Sequence, residues 1–196
     1  MEEQSYDLIL RGGDVLDPSY GPHYRADVAV RFGRIAAIGE IPAGAQAPIE
    51  LDVRGLLVTP GLIDMHAHVF DGGTGLGVPA DETSAGSGVT TVVDAGSAGA
   101  HSFGAFRRLV VDRQRTRVYG FVHIATTGLT GFPVGELTDP ALADVEKAAR
   151  VVRENFDICP GVKIRLAQNA VGSHALELLR RAQAAADASG GNVMVH

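Results

Sequence analysis

The 196-residue sequence contains one cysteine, no tryptophan and only two lysines among its 17 basic residues. A single thiol, Cys159, excludes an internal disulfide and any zinc site built from several cysteines. Beside Pro160, at an expected turn, it reads as structural. Long apolar runs are missing too, and none approaches the roughly 18 residues that a membrane-spanning helix requires. The N-terminal MEEQSYDLIL has acids where a signal peptide carries bases, so a cytoplasmic location is expected. Nor is there a basic excess: 23 acids against 17 bases leave a net charge of −6. The densest basic run, residues 107–117, is assigned to a surface helix and the turn after it. Nucleic acid and membranes are therefore not expected partners.

The composition, 45% hydrophobic and 20% charged, excludes general disorder. Residues 1–58 read as a small β-domain in which DLIL, DVL, DVAV and IAAIG are strands. Phe32-Gly33-Arg34 forms a hairpin tip with Gly33 at positive φ. IPAGAQAP reads as a loop, and LDVRGLLV as a second hairpin turning at Arg54-Gly55. From Thr59 strands and helices alternate, with strands expected at 62–66, 90–94, 117–125, 161–166 and 192–196. Asp139-Pro140 opens a helix bearing Leu142, Val145, Ala149 and Val152, and Phe103, Phe106, Leu109 and Val110 mark another. Ser173 is the expected cap of a helix that stops at Gly190-Gly191. Strand ends recur every roughly 30 to 40 residues, the length of a βα unit. The fold class is therefore α/β, and residues 59–196 supply about the first five strands of a (β/α)8 barrel, which takes about 250 residues when complete.

Three short motifs carry chemistry. In His66-Ala67-His68, side chains two apart on a strand point the same way, so both imidazoles can converge on one cation. Asp64 has the same parity and is a candidate to orient a ligand or the strand end. With so few lysines, Lys163 in the apolar GVKI has reason to be an amine. Desolvation makes such an amine nucleophilic, able to take up CO2 as a carbamate that bridges two cations. Lys147, in a polar helical stretch, reads as solvated. His196 ends the next strand after Lys163. Asp94 ends the second barrel-like strand and is a candidate to support the site. His123 is a candidate for substrate contact, whereas His23, His101 and His174 have no assigned role. Residues 72–77, GGTGLG, lack the ending of a phosphate loop and read as a loop over the substrate.

PGLIDMHAH (60–68) resembles the PGxIDxHxH signature of the amidohydrolase superfamily, GVKIR (161–165) its carboxylated lysine, and VMVH (193–196) its fifth-strand histidine. Together with DLILRGGDVLDP and TTVVDAGS (90–97), these motifs resemble the amidohydrolase/deacetylase, or dihydroorotase-like, metallohydrolases. The resemblance implies an N-terminal β-sandwich segment followed by the barrel. It also implies two divalent metal ions, zinc in most members, held by His66, His68, a carbamate on Lys163, and His196. A hydroxide between the metals would attack a small-molecule amide. A further histidine and the proton-shuttling aspartate are expected beyond His196, so the catalytic acid–base is not in this sequence.

The expected function is hydrolysis of a C–N amide bond, of deacetylase or cyclic-amidase type, with this chain the N-terminal half and inactive alone. A half barrel would leave its fifth strand as an exposed edge prone to aggregation. The rivals are a non-catalytic scaffold of the same fold and an enzyme that deaminates a base. A homo-oligomer is compatible with all of them.

Overall fold

The computed structural model describes residues 5–19, 21–84 and 86–196. The chain divides after Pro60 into two compact units.

In the first unit, β1 (Leu8–Val15), β2 (Tyr24–Arg31), β3 (Arg34–Gly39) and β4 (Ile49–Asp52) form a sheet in the order β3-β2-β1-β4, and β5 (Leu57–Val58) also pairs with β1. DLIL and DVL join in one strand through an irregularity between Leu10 and Gly13. The β2–β3 hairpin turns at Phe32 and Gly33, with φ 53° and 68°. LDVRGLLV is not a hairpin. Both of its arms run parallel to β1, β4 beside Leu8–Arg11 and β5 beside Asp14–Val15. The turn at Arg54-Gly55 instead steps around the β1 irregularity, where a Cβ on Gly12 would lie 2.6 Å from Arg54 Cγ. Ile9, Ala29, Ile41 and Ala45 form the largest core cluster here. Arg11 ties the strands by donating to Asp27 (3.0 Å), Glu50 (2.5 Å) and the Ile41 carbonyl (2.8 Å).

In the second unit the strands described below pair in parallel. β6 (Leu62–Ala67), β7 (Val89–Asp94) and β8 (Arg117–Gly120) form one sheet; β9 (Val122–His123), β10 (Gly161–Ile164) and β11 (Asn192–Val195) form another. The expected strand 117–125 is thus broken at Phe121, its first part paired with β7 and its second with β10. These are open sheets, not a closed ring.

The helices are α1 (Ala80–Ser84), α2 (Phe103–Phe106), α3 (Val145–Glu154), α4 (Gln168–Val171) and α5 (Ala175–Ser189). α2 continues as a π-turn over Arg107–Val111, leaving Leu109 54% exposed and outside the core. Asp139 accepts from the Ala141 N–H, but the turn it opens lasts only Pro140–Leu142. Asp144 caps the longer helix, accepting from Lys147 N–H at 3.0 Å. His174, not Ser173, occupies the α5 N-cap, and Gly190 ends that helix at φ 73°.

One apolar layer, from Phe103 and Phe106 through Ile124, Val152 and Ile164 to Leu178, fills the space between strands and helices. On the opposite face, Ile63, Met65, Thr91, Val93, Tyr119 and Phe121 line an open apolar cavity of about 460 Å³. The outer strands β6 and β11 are exposed at Ile63 (59%) and Val195 (52%). Among the described residues no helix is long and apolar enough to cross a membrane.

Phe106 is 1% exposed and packs edge-on against Phe70 with ring centroids 5.5 Å apart. Phe106→Ala should destabilise the second unit by about 3–5 kcal/mol, read as a lower urea midpoint with an unchanged slope.

Candidate functional site

The ends of β6, β9, β10 and β11 gather the chemically distinctive residues around a cavity of about 250 Å³. Its lining includes His68, His123, Lys163, Arg165 and His196, but no aspartate or glutamate among the described residues. The pairing registers place them. Lys163 stands opposite His123 on one side and Met194 on the other, two residues before His196.

The pairing of β6 with β7 shifts register between Asp64 and Ala67. Ile63 and Met65, of one parity, face the apolar cavity beside Thr91 and Val93. His68, of the other parity, borders the polar one. Asp64 has the parity of the histidines and lines a second cavity together with His68. Its carboxylate shares that cavity with Thr83, Ser84 and Ser87 as well, and accepts from the His66 backbone N–H at 2.9 Å at the strand end. Asp94 is 1% exposed and accepts from the N–H groups of Val69 (2.8 Å) and Ser97 (2.7 Å). Burial pushes its carboxyl up, against those hydrogen bonds. It fixes the turn after β7, from which Ser97 Oγ reaches His68 Nδ1 at 2.9 Å.

Three imidazoles stand together: the His66 ring lies 5.8 Å from that of His68 and 5.0 Å from that of His196. Two rings bound to one tetrahedral zinc through nitrogen at ~2.1 Å have centroids about 5 Å apart. Among the described residues no three His, Cys, Asp or Glu side chains are already oriented as a metal cluster. The donor types nevertheless suit one. Burial, then the nearby Lys163 charge, depresses the pKa of both His66 and His68. This favours the neutral imidazole that a metal needs.

Lys163 is 2% exposed and its Nζ has no hydrogen-bond partner. Burial, then repulsion from Arg165, lowers its pKa to about 8. Its stem lies on the turn after β7, where Gly96 has φ 80° and a Cβ would come 2.6 Å from Lys163 Cβ and Cγ. A buried amine without a partner, beside three histidines, fits a group completed by CO2 and metal.

Three participants had not been singled out. Arg165 shares a face with Lys163, two residues away, a relation legible in GVKIR. Glu136 lies in the loop after β9, where no sequence pattern marks it, yet it accepts from Arg165 Nε (2.9 Å) and Nη2 (2.7 Å). Ser97 lay inside a quoted motif without an assigned part. His123 is fully buried beside the cavity, while His23, His101 and His174 do not line it. Leu76, from the glycine-rich loop, borders it. Cys159 is buried, and burial pushes its thiol up to about 11. From the basic run, Arg107 is engaged with Asp157 at 2.7 Å.

Histidines, a buried lysine and a supporting aspartate thus stand at the C-terminal ends of parallel strands, where α/β architectures place functional groups. The amidohydrolase family model matches residues 50–195, and the chain belongs to that family. It is 35% identical over 145 residues to a deacetylase of Agrobacterium fabrum, covering 72% of this chain and 35% of the relative. A dihydroorotase crystal structure superposes with TM-score 0.84 at 28% identity, covering 96% of this chain and 50% of that one. An adenine deaminase structure gives 0.82 at 27%, covering 97% and 50%. The chain thus spans half or less of the length of these relatives.

Burial works to raise the Glu136 pKa from 4.5, but His123 and Arg165 outweigh it and hold it at about 2. A carboxylate depressed on folding contributes stability above its unfolded pKa, and that stability is lost as pH falls through the folded value. Glu136→Gln should therefore cost on the order of 3 kcal/mol at neutral pH. The deficit should shrink between about pH 4.5 and 2 in parallel urea titrations of the two proteins.

Proposed function

We propose that this chain acts in a (β/α)8-barrel amidohydrolase that uses two divalent metal ions, zinc by preference, to hydrolyse the amide bond of a small molecule. The observation that carries the reading is the unpartnered, buried Lys163 Nζ facing a cavity shared with His68 and His196. His66, His68 and His196 would hold the metals with Lys163. The lysine's part requires a carbamate: its neutral amine attacks CO2, an N–C bond forms, one proton leaves, and the product presents a carboxylate. Bound metal supplies Lewis-acid polarisation of the amide carbonyl and activation of water.

The protein's own groups prepare that chemistry. Ser97 fixes the His68 ring through Nδ1, and Asp94 fixes Ser97 through its backbone. Gly96 leaves room for the Lys163 stem. Leu76, Leu129 and Phe132 supply apolar walls that hold water away from a bound amide. The likeness to an adenine deaminase supports a second reading, in which the bond cleaved is the C–N bond of an amino group on a base.

Elemental analysis of protein prepared with zinc and bicarbonate should find two metals per chain, and labelled bicarbonate should give a carbamate carbon signal. Lys163→Ala should abolish that signal and lower the metal content. Full metal binding by the alanine variant would sink the bridging role, and a wild-type protein holding no stoichiometric metal would favour the scaffold reading. Release of ammonia from adenine, without hydrolysis of acetylated amino acids, would favour the deaminase.

A further inference from the structure

A second cavity, of about 340 Å³, lies on another side of His68 and has no part in the metal reading. His68 and Leu76 border both it and the cavity of Lys163. The two differ in charge. Lys163 and Arg165 line the first, whereas the second has the carboxylate of Asp64 and, among the described residues, no lysine or arginine. Oδ1 of Asp64 accepts from the His66 N–H at 2.9 Å, and Oδ2 has no hydrogen-bond partner among the described residues.

Three hydroxyls share this lining with Asp64. Thr83 Oγ1 donates to the carbonyls of Pro79 (3.0 Å) and Ala80 (3.2 Å). Ser87 Oγ donates to those of Ser84 (3.0 Å) and Thr83 (3.4 Å). Their hydrogens are thereby committed to the α1 backbone, and both oxygens keep lone pairs to offer. Ser84 is only 3% exposed, and its hydroxyl bonds to no other described residue. A polar group so buried is normally partnered. The polar lining is therefore rich in acceptors and holds one hydroxyl in want of a partner.

The remaining lining is apolar, with Val69, Val78, Val89 and Val92. A bare ion would leave these valines and most of the volume unfilled, whereas a short alkyl chain covers them. The walls are also held in place. Asp81 accepts from the N–H groups of Arg115 (3.0 Å) and Thr116 (2.7 Å), which fastens α1 to the turn before β8. Val78 N–H donates to the His68 carbonyl at 3.1 Å. Acceptors fixed in this way need little ordering on binding.

We infer that this cavity is a binding site for a small primary alkylammonium. Its three N–H donors meet the Asp64 carboxylate and the hydroxyl oxygens of Thr83, Ser84 and Ser87, and its alkyl body lies on the valines. The site needs no metal and does not depend on the proposed amide hydrolysis.

The test is an NMR titration of the methyl-labelled 196-residue chain, treated with chelator, against n-butylammonium chloride, 1-butanol and potassium chloride. The ammonium should shift the Leu76, Val78 and Val92 methyl signals saturably at millimolar concentration. It should bind at least about ten-fold more tightly than the alcohol, which lacks the charge-assisted hydrogen bond. Potassium should leave the signals unmoved. Asp64→Asn should abolish the preference for the ammonium, and Ser84→Ala should weaken its binding several-fold. Should Asp64→Asn fail to fold, Ser84→Ala and the wild-type ratio of ammonium to alcohol affinity decide.

Equal binding of ammonium and alcohol, or no saturation by the ammonium, would overturn the assignment. So would a preference that survives Asp64→Asn, or an affinity unchanged by Ser84→Ala. An equal response to potassium would reduce the effect to screening of Asp64 and end the proposal. Shifts at Ala95 and Leu129 without shifts at Val78 and Val92 would do the same, because the probe would then sit in the cavity of Lys163. Zinc is absent throughout, so a failure of the hydrolase reading leaves the result untouched.

Discussion

A primary amine with 2% exposure and no hydrogen-bond partner is an expensive thing to fold around, and the second unit is arranged about it. Lys163 is held in register between His123 and Met194 by parallel pairing on both sides. The turn after β7 passes beneath it at a glycine, where any side chain would collide with the lysine stem. Burial and the Arg165 charge together depress its pKa to about 8, well below that of a solvated lysine.

Around the amine the polar groups form two separate chains of support. One runs from Asp94 through the Ser97 backbone and hydroxyl to His68, within 2.9 Å at each step. The other runs from Glu136 to Arg165 and toward His123. The first secures a candidate metal ligand, and the second braces the opposite wall. Both depend on loops that follow strand C-termini, where parallel α/β architectures place their functional groups. The strands themselves are held by the apolar layer of Phe103, Phe106, Ile164 and Leu178. The opposite face of the sheets remains open and apolar at Ile63, Met65 and Phe121.

Much of this was legible in the residues. His66, His68, Lys163 and His196 were selected by type, spacing and strand position, and their elements form where alternation of strands and helices placed them. Asp64 shows the limit. Its carboxylate accepts from the His66 backbone N–H, while Ser97, which no spacing marks, holds the His68 ring. LDVRGLLV has the residues of a hairpin, yet both arms pair with β1, because strand partners are chosen across the sheet and not by the turn alone. Asp139 reads as a helix start, but the turn after it closes within three residues and Asp144 caps the helix that packs.

The sequence by itself determined the alternation of strands and helices, and it singled out His66, His68, Lys163 and His196, in that order, as candidate metal ligands. Those properties follow from local periodicity and from the chemistry of individual side chains. Tertiary structure decided the rest. It buried Lys163 without a partner, put Ser97 on His68, and brought Glu136 across 29 residues to clamp Arg165. Desolvation and bidentate pairing exist only once distant segments meet, so no local pattern in the chain encodes them.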